Sequence, residues 1–277
     1  MSETIQKGFL DNTIVVKVGT SIVTRENNED ALGLPSLDLN LFQDLANGIS
    51  AVMEATGRRV ILVSSGAVAA GRQILRRTRA DSQGTAAKQS LASMGQPELM
   101  TEYRNAFGRA IPSRLVSQML LTADNFTRDD ERNNMLAMLD ELSDRAVPVV
   151  NENDTVATKE LTLGDNDQLA AKIARLVRAN LLVLFTDTEG VFNENPKDNP
   201  DARLIHELPV EMITEDFIRA CGAGKSTNGT GGMASKLDAA RIAALAGIPT
   251  TIAYGKRPSN LSAIVRGEKV GTRILPN

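Results

Sequence analysis

Short runs of β-branched residues alternate with longer stretches of helical spacing along almost the whole chain, and that alternation leaves few folds open. Ile14 to Val18, Val60 to Val63, Leu115 to Met119, Val147 to Val150, Leu181 to Phe185 and Thr250 to Ala253 read as strands. Leu37 to Thr56, Ala86 to Phe107, Asp130 to Arg145, Leu169 to Val177 and Met233 to Ala246 read as helices. Gly57 and Gly247 are suited to close the first and last of these, and Gly95-Gln96-Pro97 is expected to interrupt the second. Strands alternating with helices imply an α/β chain: a three-layer α/β/α sandwich whose central sheet is open and mostly parallel. At 277 residues, with no repeat and no low-complexity linker, one domain is expected, and Asn193 to Pro200 reads as a loop within it.

Open parallel sheets bind ligands beyond the carboxyl ends of their strands. Four polar or glycine clusters fall at such ends: Gly19-Thr20-Ser21, Ser64-Ser65-Gly66, Asn151 to Asp154, and Thr186-Asp187. One cluster would be an ordinary turn, whereas four at one edge favour a site. Individually, the serine pair also suits a helix start and the Asn-Asp cluster a strand end.

Several chemistries are narrowed by what the chain contains. His206 is the single histidine, so a Ser-His-Asp arrangement would depend on it and a multi-histidine metal site cannot form. Its setting, Arg203 to Pro209, reads as a short element before a helix and the histidine as structural. Cys221 is the single cysteine, which excludes an intrachain disulfide and a cysteine zinc cluster and suits a reducing compartment. The net charge of −3 gives no global attraction for nucleic acid or anionic membrane. Arg76, Arg77 and Arg79 read as a solvated helix end. No signal peptide and no run of about 20 apolar residues is visible. A cytoplasmic protein, with neither nucleic acid nor membrane as partner, is the expectation.

Gly224-Lys225-Ser226 imitates the end of a Walker A loop, but Arg219 occupies the position where the first glycine belongs, and helical spacing precedes it. A better phosphate loop follows in Gly229 to Lys236, GTGGMASK. Glycines let backbone N–H groups approach phosphate oxygens, and the helix starting after Gly232 adds a favourable dipole. Lys236 falls one turn into that helix. Spacing alone equally allows a surface loop with a solvated lysine.

Taken in order, VVKVGTS from Val15, SSGAVAAGR from Ser64, NENDTV from Asn151, GDND from Gly164 and GTGGM from Gly229 with Lys236 resemble the glutamate 5-kinases of the amino acid kinase superfamily. The resemblance runs from about Ile14 to about Thr272 and implies the amino acid kinase fold. It implies an amino-acid-binding part over about 1–176 and a nucleotide-binding part over about 177–277. The implied reaction is ATP-dependent phosphorylation of the side-chain carboxylate of L-glutamate, with Mg²⁺ on the ATP phosphates, as a first step toward proline. Lys17 and Lys236 match the lysines that contact the transferring phosphoryl group, and Asp167 matches the acid that holds them. Ser65, Asp154 and Asn166 match the glutamate-binding positions. Thr186 and Asp187, with Thr230, Gly231, Gly232, Met233, Ala234, Ser235 and Lys236, match the nucleotide contacts, to which Lys17 also belongs. No protein-bound metal is implied.

The resemblance further implies feedback by proline and a homodimer or homotetramer. Ser235 stands where threonine is usual, and Arg25 to Pro35 and Cys221 to Asn228 depart from the family pattern. Many members carry a C-terminal domain of the PUA type, which is expected to be missing here. A related kinase acting on another acid and a non-catalytic amino-acid sensor of the same fold are the alternatives.

Overall fold

The computed structural model describes residues 12–25, 34–78, 83–157, 166–196, 198–221 and 232–276. Its strands are β1 (Thr13–Val18), β2 (Thr24–Arg25), β3 (Ser36–Leu37), β4 (Arg59–Ser64), β5 (Leu115–Leu121), β6 (Ala146–Glu152), β7 (Leu181–Thr186), β8 (Glu207–Pro209), β9 (Thr250–Tyr254) and β10 (Thr272–Leu275). Eight of them form one sheet in the order β5-β6-β4-β1-β7-β9-β10-β8, while β2 and β3 pair separately. All pairings in the large sheet are parallel except β9 with β10. The expected open, mostly parallel sheet is therefore present.

Every residue of β1 and β7 is buried, as the centre of a sheet covered on both faces requires. Alternate residues serve opposite faces. Val15, Ile61, Val63, Leu182 and Leu184 pack into one core with the helices Asn166–Val177 and Met233–Ala244. Ile14, Val16, Leu62, Val183 and Phe185 pack into the other with Leu39–Thr56, Ala67–Leu75 and Thr85–Ala110. This gives the three layers.

The elements depart from the sequence reading in several places. Asp38 caps the Leu39–Thr56 helix by accepting from Leu41 N at 3.3 Å, so the helix begins two residues later than expected. Gly57 closes it at φ 66°. The short strands β8 and β10 and the helix Asn260–Val265 go beyond the sequence reading. Leu169 to Val177 extends back to Asn166, bringing three polar residues, Asn166, Asp167 and Gln168, into a helical first turn.

The expected break at Gly95-Gln96-Pro97 does not occur. Thr85–Ala110 is one 26-residue helix with Pro97 inside it. An interior proline costs about 3 kcal/mol locally, and close packing against Ala67–Leu75 offsets it. A Cβ on Gly95 would lie 1.9 Å from Ala67 O, and one on Gly71 2.0 Å from Leu91 O. Only glycines allow that approach. Gly95→Ala is accordingly expected to cost ~3 kcal/mol of stability, the upper end for over-packed cores. Urea unfolding measures it, and an unchanged midpoint would contradict the packing argument.

Candidate active site

Strand order reverses at β1. From β1 the chain goes to β4, then out to the edge strand β5 and back to β6 between them, before strands β7 to β10 fill the other side in the order β7, β9, β10, β8. Such a switch point opens a crevice beyond the carboxyl ends of β4, β1 and β7. Lys17, near the end of β1, stands on the same face as Val15, beneath the helices Asn166–Val177 and Met233–Ala244.

Those two helices and β1 bring three charged side chains together. Asp167 Oδ1 pairs with Lys17 Nζ at 2.6 Å, and its Oδ2 accepts from Lys236 Nζ at 3.2 Å. Lys17, Asp167 and Lys236 are 2%, 0% and 5% exposed. Burying an ion costs several kcal/mol, so such a cluster persists only with close partners. Asp167 also lies in the first turn of its helix, where the macrodipole favours an anion. Gly19 lies beside the Lys17 ammonium, where a Cβ would meet Nζ at an ordinary contact distance of 3.5 Å.

Asn166 links the next group of expected residues. Its Nδ2 donates to Ser65 Oγ at 2.7 Å and to Asn151 Oδ1 at 2.9 Å. Ser65 is tied to the end of β1 by its own N–H, which donates to Val18 O at 3.0 Å. Behind it, the Ser64 hydroxyl donates to Ser65 O at 2.9 Å and meets the Tyr103 hydroxyl at 2.6 Å. Tyr103 is fully buried, and burial pushes its phenol well above the ordinary range. It therefore serves as a neutral prop for the serine turn.

Asp154 follows the end of β6. Burial, and then the nearby Glu152 carboxylate, push its pKa up to about 6, against a smaller opposing pull from Lys88. Thr186 ends β7, and its hydroxyl donates to Asp187 Oδ1 at 3.3 Å. Gly232 precedes the Met233–Ala244 helix in an extended conformation, with no side chain capping the helix. The N–H groups of Met233, Ala234 and Ser235 thus open that helix without intrahelical acceptors, a ready anion cradle. Ser235 Oγ is buried there without a hydrogen-bond partner. Thr230 and Gly231, like Gly164, Asp165 and the look-alike Gly224-Lys225-Ser226, lie outside the described residues.

The amino acid kinase family matches residues 12–254. A glutamate 5-kinase of Geobacter sulfurreducens is 43% identical over 267 residues, covering 95% of this chain and 67% of the relative. One from Thermus thermophilus is 42% identical over 270 residues, covering 97% of this chain and 68% of the relative. The chain belongs to the amino acid kinase family, among its glutamate 5-kinases. It spans about two thirds of the length of these two relatives. The solved carbamate kinase from Giardia lamblia bound to AMP-PNP shares the fold, with a TM-score of 0.65, 17% identity and coverage of 98% of this chain and 100% of that one.

This amino acid kinase also places at the site residues that sequence reasoning passed over. Lys88 lies close enough to Asp154 to affect its charge, and Gln96 accepts from Asn151 Nδ2 at 2.9 Å. Both come from the Thr85–Ala110 helix. The one signal for Gln96 was the Gly95-Gln96-Pro97 irregularity, and a lone lysine on a polar helix gave none for Lys88. His206 stands apart from the site. Its Nδ1 is 3.3 Å from Gly271 O, next to β8, four strand spacings or roughly 19 Å from β1. Among the described residues no helix is long and apolar enough to cross a membrane.

Proposed function

We propose that this chain transfers the γ-phosphoryl group of ATP to the side-chain carboxylate of L-glutamate, giving γ-glutamyl phosphate. The observation that carries the reading is the single buried carboxylate, Asp167, gripping two lysines from opposite ends of the chain at the sheet's switch point. The 43% and 42% identical relatives named glutamate 5-kinase supply the acceptor.

A glutamate side chain, with a pKa of about 4.3, is already ionised at neutral pH and attacks without a general base. The barrier is the approach of one anion to another. Catalysis therefore rests on charge stabilisation and alignment. Lys17 and Lys236 stabilise charge on the transferring group, while Asp167 fixes both ammonium groups before substrates arrive. The N–H groups opening the Met233–Ala244 helix bind ATP phosphates, with Thr186 and Asp187 contributing to the nucleotide side. Ser65, Asn166 and Asp154 hold the amino acid, Asp154 by pairing with its α-ammonium group. Among the described residues there is no group of three or more side chains suited to holding a metal. A Mg²⁺ ion held by the phosphates of ATP would add further charge neutralisation.

On this reading, residues up to about 176 form the amino-acid side and those from about 177 the nucleotide side. Feedback by proline, a homo-oligomeric assembly and a cytoplasmic location belong to the same proposal. The single buried cysteine suits a reducing compartment.

The raised pKa of Asp154 yields a pH test. Its folded value of about 6 exceeds the ordinary value of about 3.9. The folded chain therefore binds this proton the more tightly, and the stability that gives is present below about pH 4 and lost as pH rises through 6. Below pH 6 the neutral carboxyl cannot pair with an ammonium group. The KM for glutamate should rise roughly tenfold between pH 7 and pH 5. Asp154→Asn should start from a high KM and show little of that dependence. A wild-type KM that stays flat over this range would remove Asp154 from the ammonium site.

Coupled assay of ADP release with glutamate, aspartate and N-acetylglutamate tests the acceptor. Glutamate should be the preferred acid; turnover of acetylglutamate without glutamate would overturn the reading.

A further inference from the structure

Gln96 is 9% exposed, and its carboxamide is held in a known orientation. The backbone N–H of Glu152 donates to Asn151 Oδ1 at 2.9 Å, which identifies that atom as the oxygen. Asn151 Nδ2 is therefore the donor, and the atom it meets at 2.9 Å is Gln96 Oε1. This leaves Gln96 Nε2, buried and without any hydrogen-bond partner. Buried donors in folded proteins are nearly always satisfied, because an unsatisfied one costs as much as a lost hydrogen bond.

The position of that donor is equally constrained. Gly95 brings the Thr85–Ala110 helix into backbone contact with Ala67–Leu75, the helix that begins just after Ser65. Gln96, the next residue, joins the chain of amides Gln96–Asn151–Asn166 that ends on Ser65 Oγ. Pro97 follows it. The Gly95-Gln96-Pro97 segment thus does more than allow two helices to touch, since it delivers an amide to the acceptor side of the crevice.

We propose that Gln96 is an acceptor-binding residue: its Oε1 sets Asn151 and Asn166, and its Nε2 donates to a carboxylate oxygen of the bound amino acid. The inference rests on the reading of this site as one for an amino-acid carboxylate. The missing hydrogen-bond partner is then the substrate itself.

Two substitutions separate the two ends of the amide. Gln96→Glu keeps an oxygen for Asn151 Nδ2 but removes the donor, and Gln96→Met removes both at similar length. Losing a hydrogen bond to an ionised group weakens binding by roughly 10- to 100-fold. Both variants should raise the acceptor KM by that factor while the KM for ATP stays at its wild-type value. A Gln96→Glu enzyme with a wild-type acceptor KM would overturn the proposal, whatever Gln96→Met does. Each variant is compared with wild type on whichever acid the wild type phosphorylates best. A wrong acceptor therefore shows in the wild-type panel, and a wrong role for Gln96 shows in the ratio. Should the variants not fold, the wild-type crystal structure with the acid bound decides. Gln96 Nε2 within about 3.2 Å of a carboxylate oxygen supports the proposal, and any other partner for Nε2 refutes it.

Discussion

Replacing Lys236 with alanine is expected to lower kcat about 10²–10³-fold, the usual cost of removing one preorganised charge-stabilising donor. The glutamate KM should stay close to the wild-type value, because Ser65, Asn166 and Asp154 lie on other elements and keep their geometry. The split follows from the proposed roles: Lys236 belongs to the helix whose opening N–H groups are proposed to bind phosphate, and its ammonium is anchored on Asp167 at 3.2 Å. Steady-state kinetics with both substrates varied measure it. A variant with near-normal kcat would remove Lys236 from the transferring group, and one with a raised glutamate KM alone would move it to the acceptor side.

Asp167→Asn should have the largest effect on stability. The carboxylate is fully buried and touches Lys17 at 2.6 Å as well as Lys236. A neutral amide in its place leaves two buried ammonium groups without their shared counter-charge. Breaking a buried pair in this way typically costs about 3–5 kcal/mol. Urea unfolding of Asp167→Asn, Lys17→Met and the double variant forms a cycle. The double variant should lose much less than the summed single losses, because Lys17→Met removes one of the stranded charges. Additivity within about 0.5 kcal/mol would mean that the two side chains do not depend on each other. Activity should also fall in Asp167→Asn, since neither lysine is then held in place.

Much of this architecture is legible from local pattern because the central strands are buried on both faces. Ile14 to Val18 and Leu181 to Phe185 are near-continuous apolar runs, the pattern that the middle of a covered parallel sheet demands. Strands β8 and β10, of three and four residues, are too short to carry a period and owe their existence to neighbours. Pro97 illustrates the opposite failure. The local rule that proline breaks helices is sound, but the glycine-mediated packing of two helices outweighs it, and no local window contains both.

The site divides along the same line. Its place at the strand ends followed from the polar clusters alone. The roles of Lys17, Lys236, Ser65 and Asn166 came from resemblance, since Lys17 and Asp167 are 150 positions apart and no spacing rule joins them. Geometry then placed Asp167 between the two lysines and Asn166 against Ser65. Gln96 and Tyr103 needed the tertiary structure, because each acts through a partner dozens of residues away.

The pair of lysines on Asp167 is proposed to serve phosphoryl transfer to a carboxylate. Hydroxylamine trapping measures this directly, because an acyl phosphate reacts with it to give a hydroxamate and a phosphorylated alcohol or phosphate does not. Wild-type protein with Mg-ATP and L-glutamate should accumulate γ-glutamyl hydroxamate in step with ADP, and Lys236→Ala should nearly abolish it. ADP release with no hydroxamate, or hydroxamate formation that Lys236→Ala leaves intact, would contradict the account.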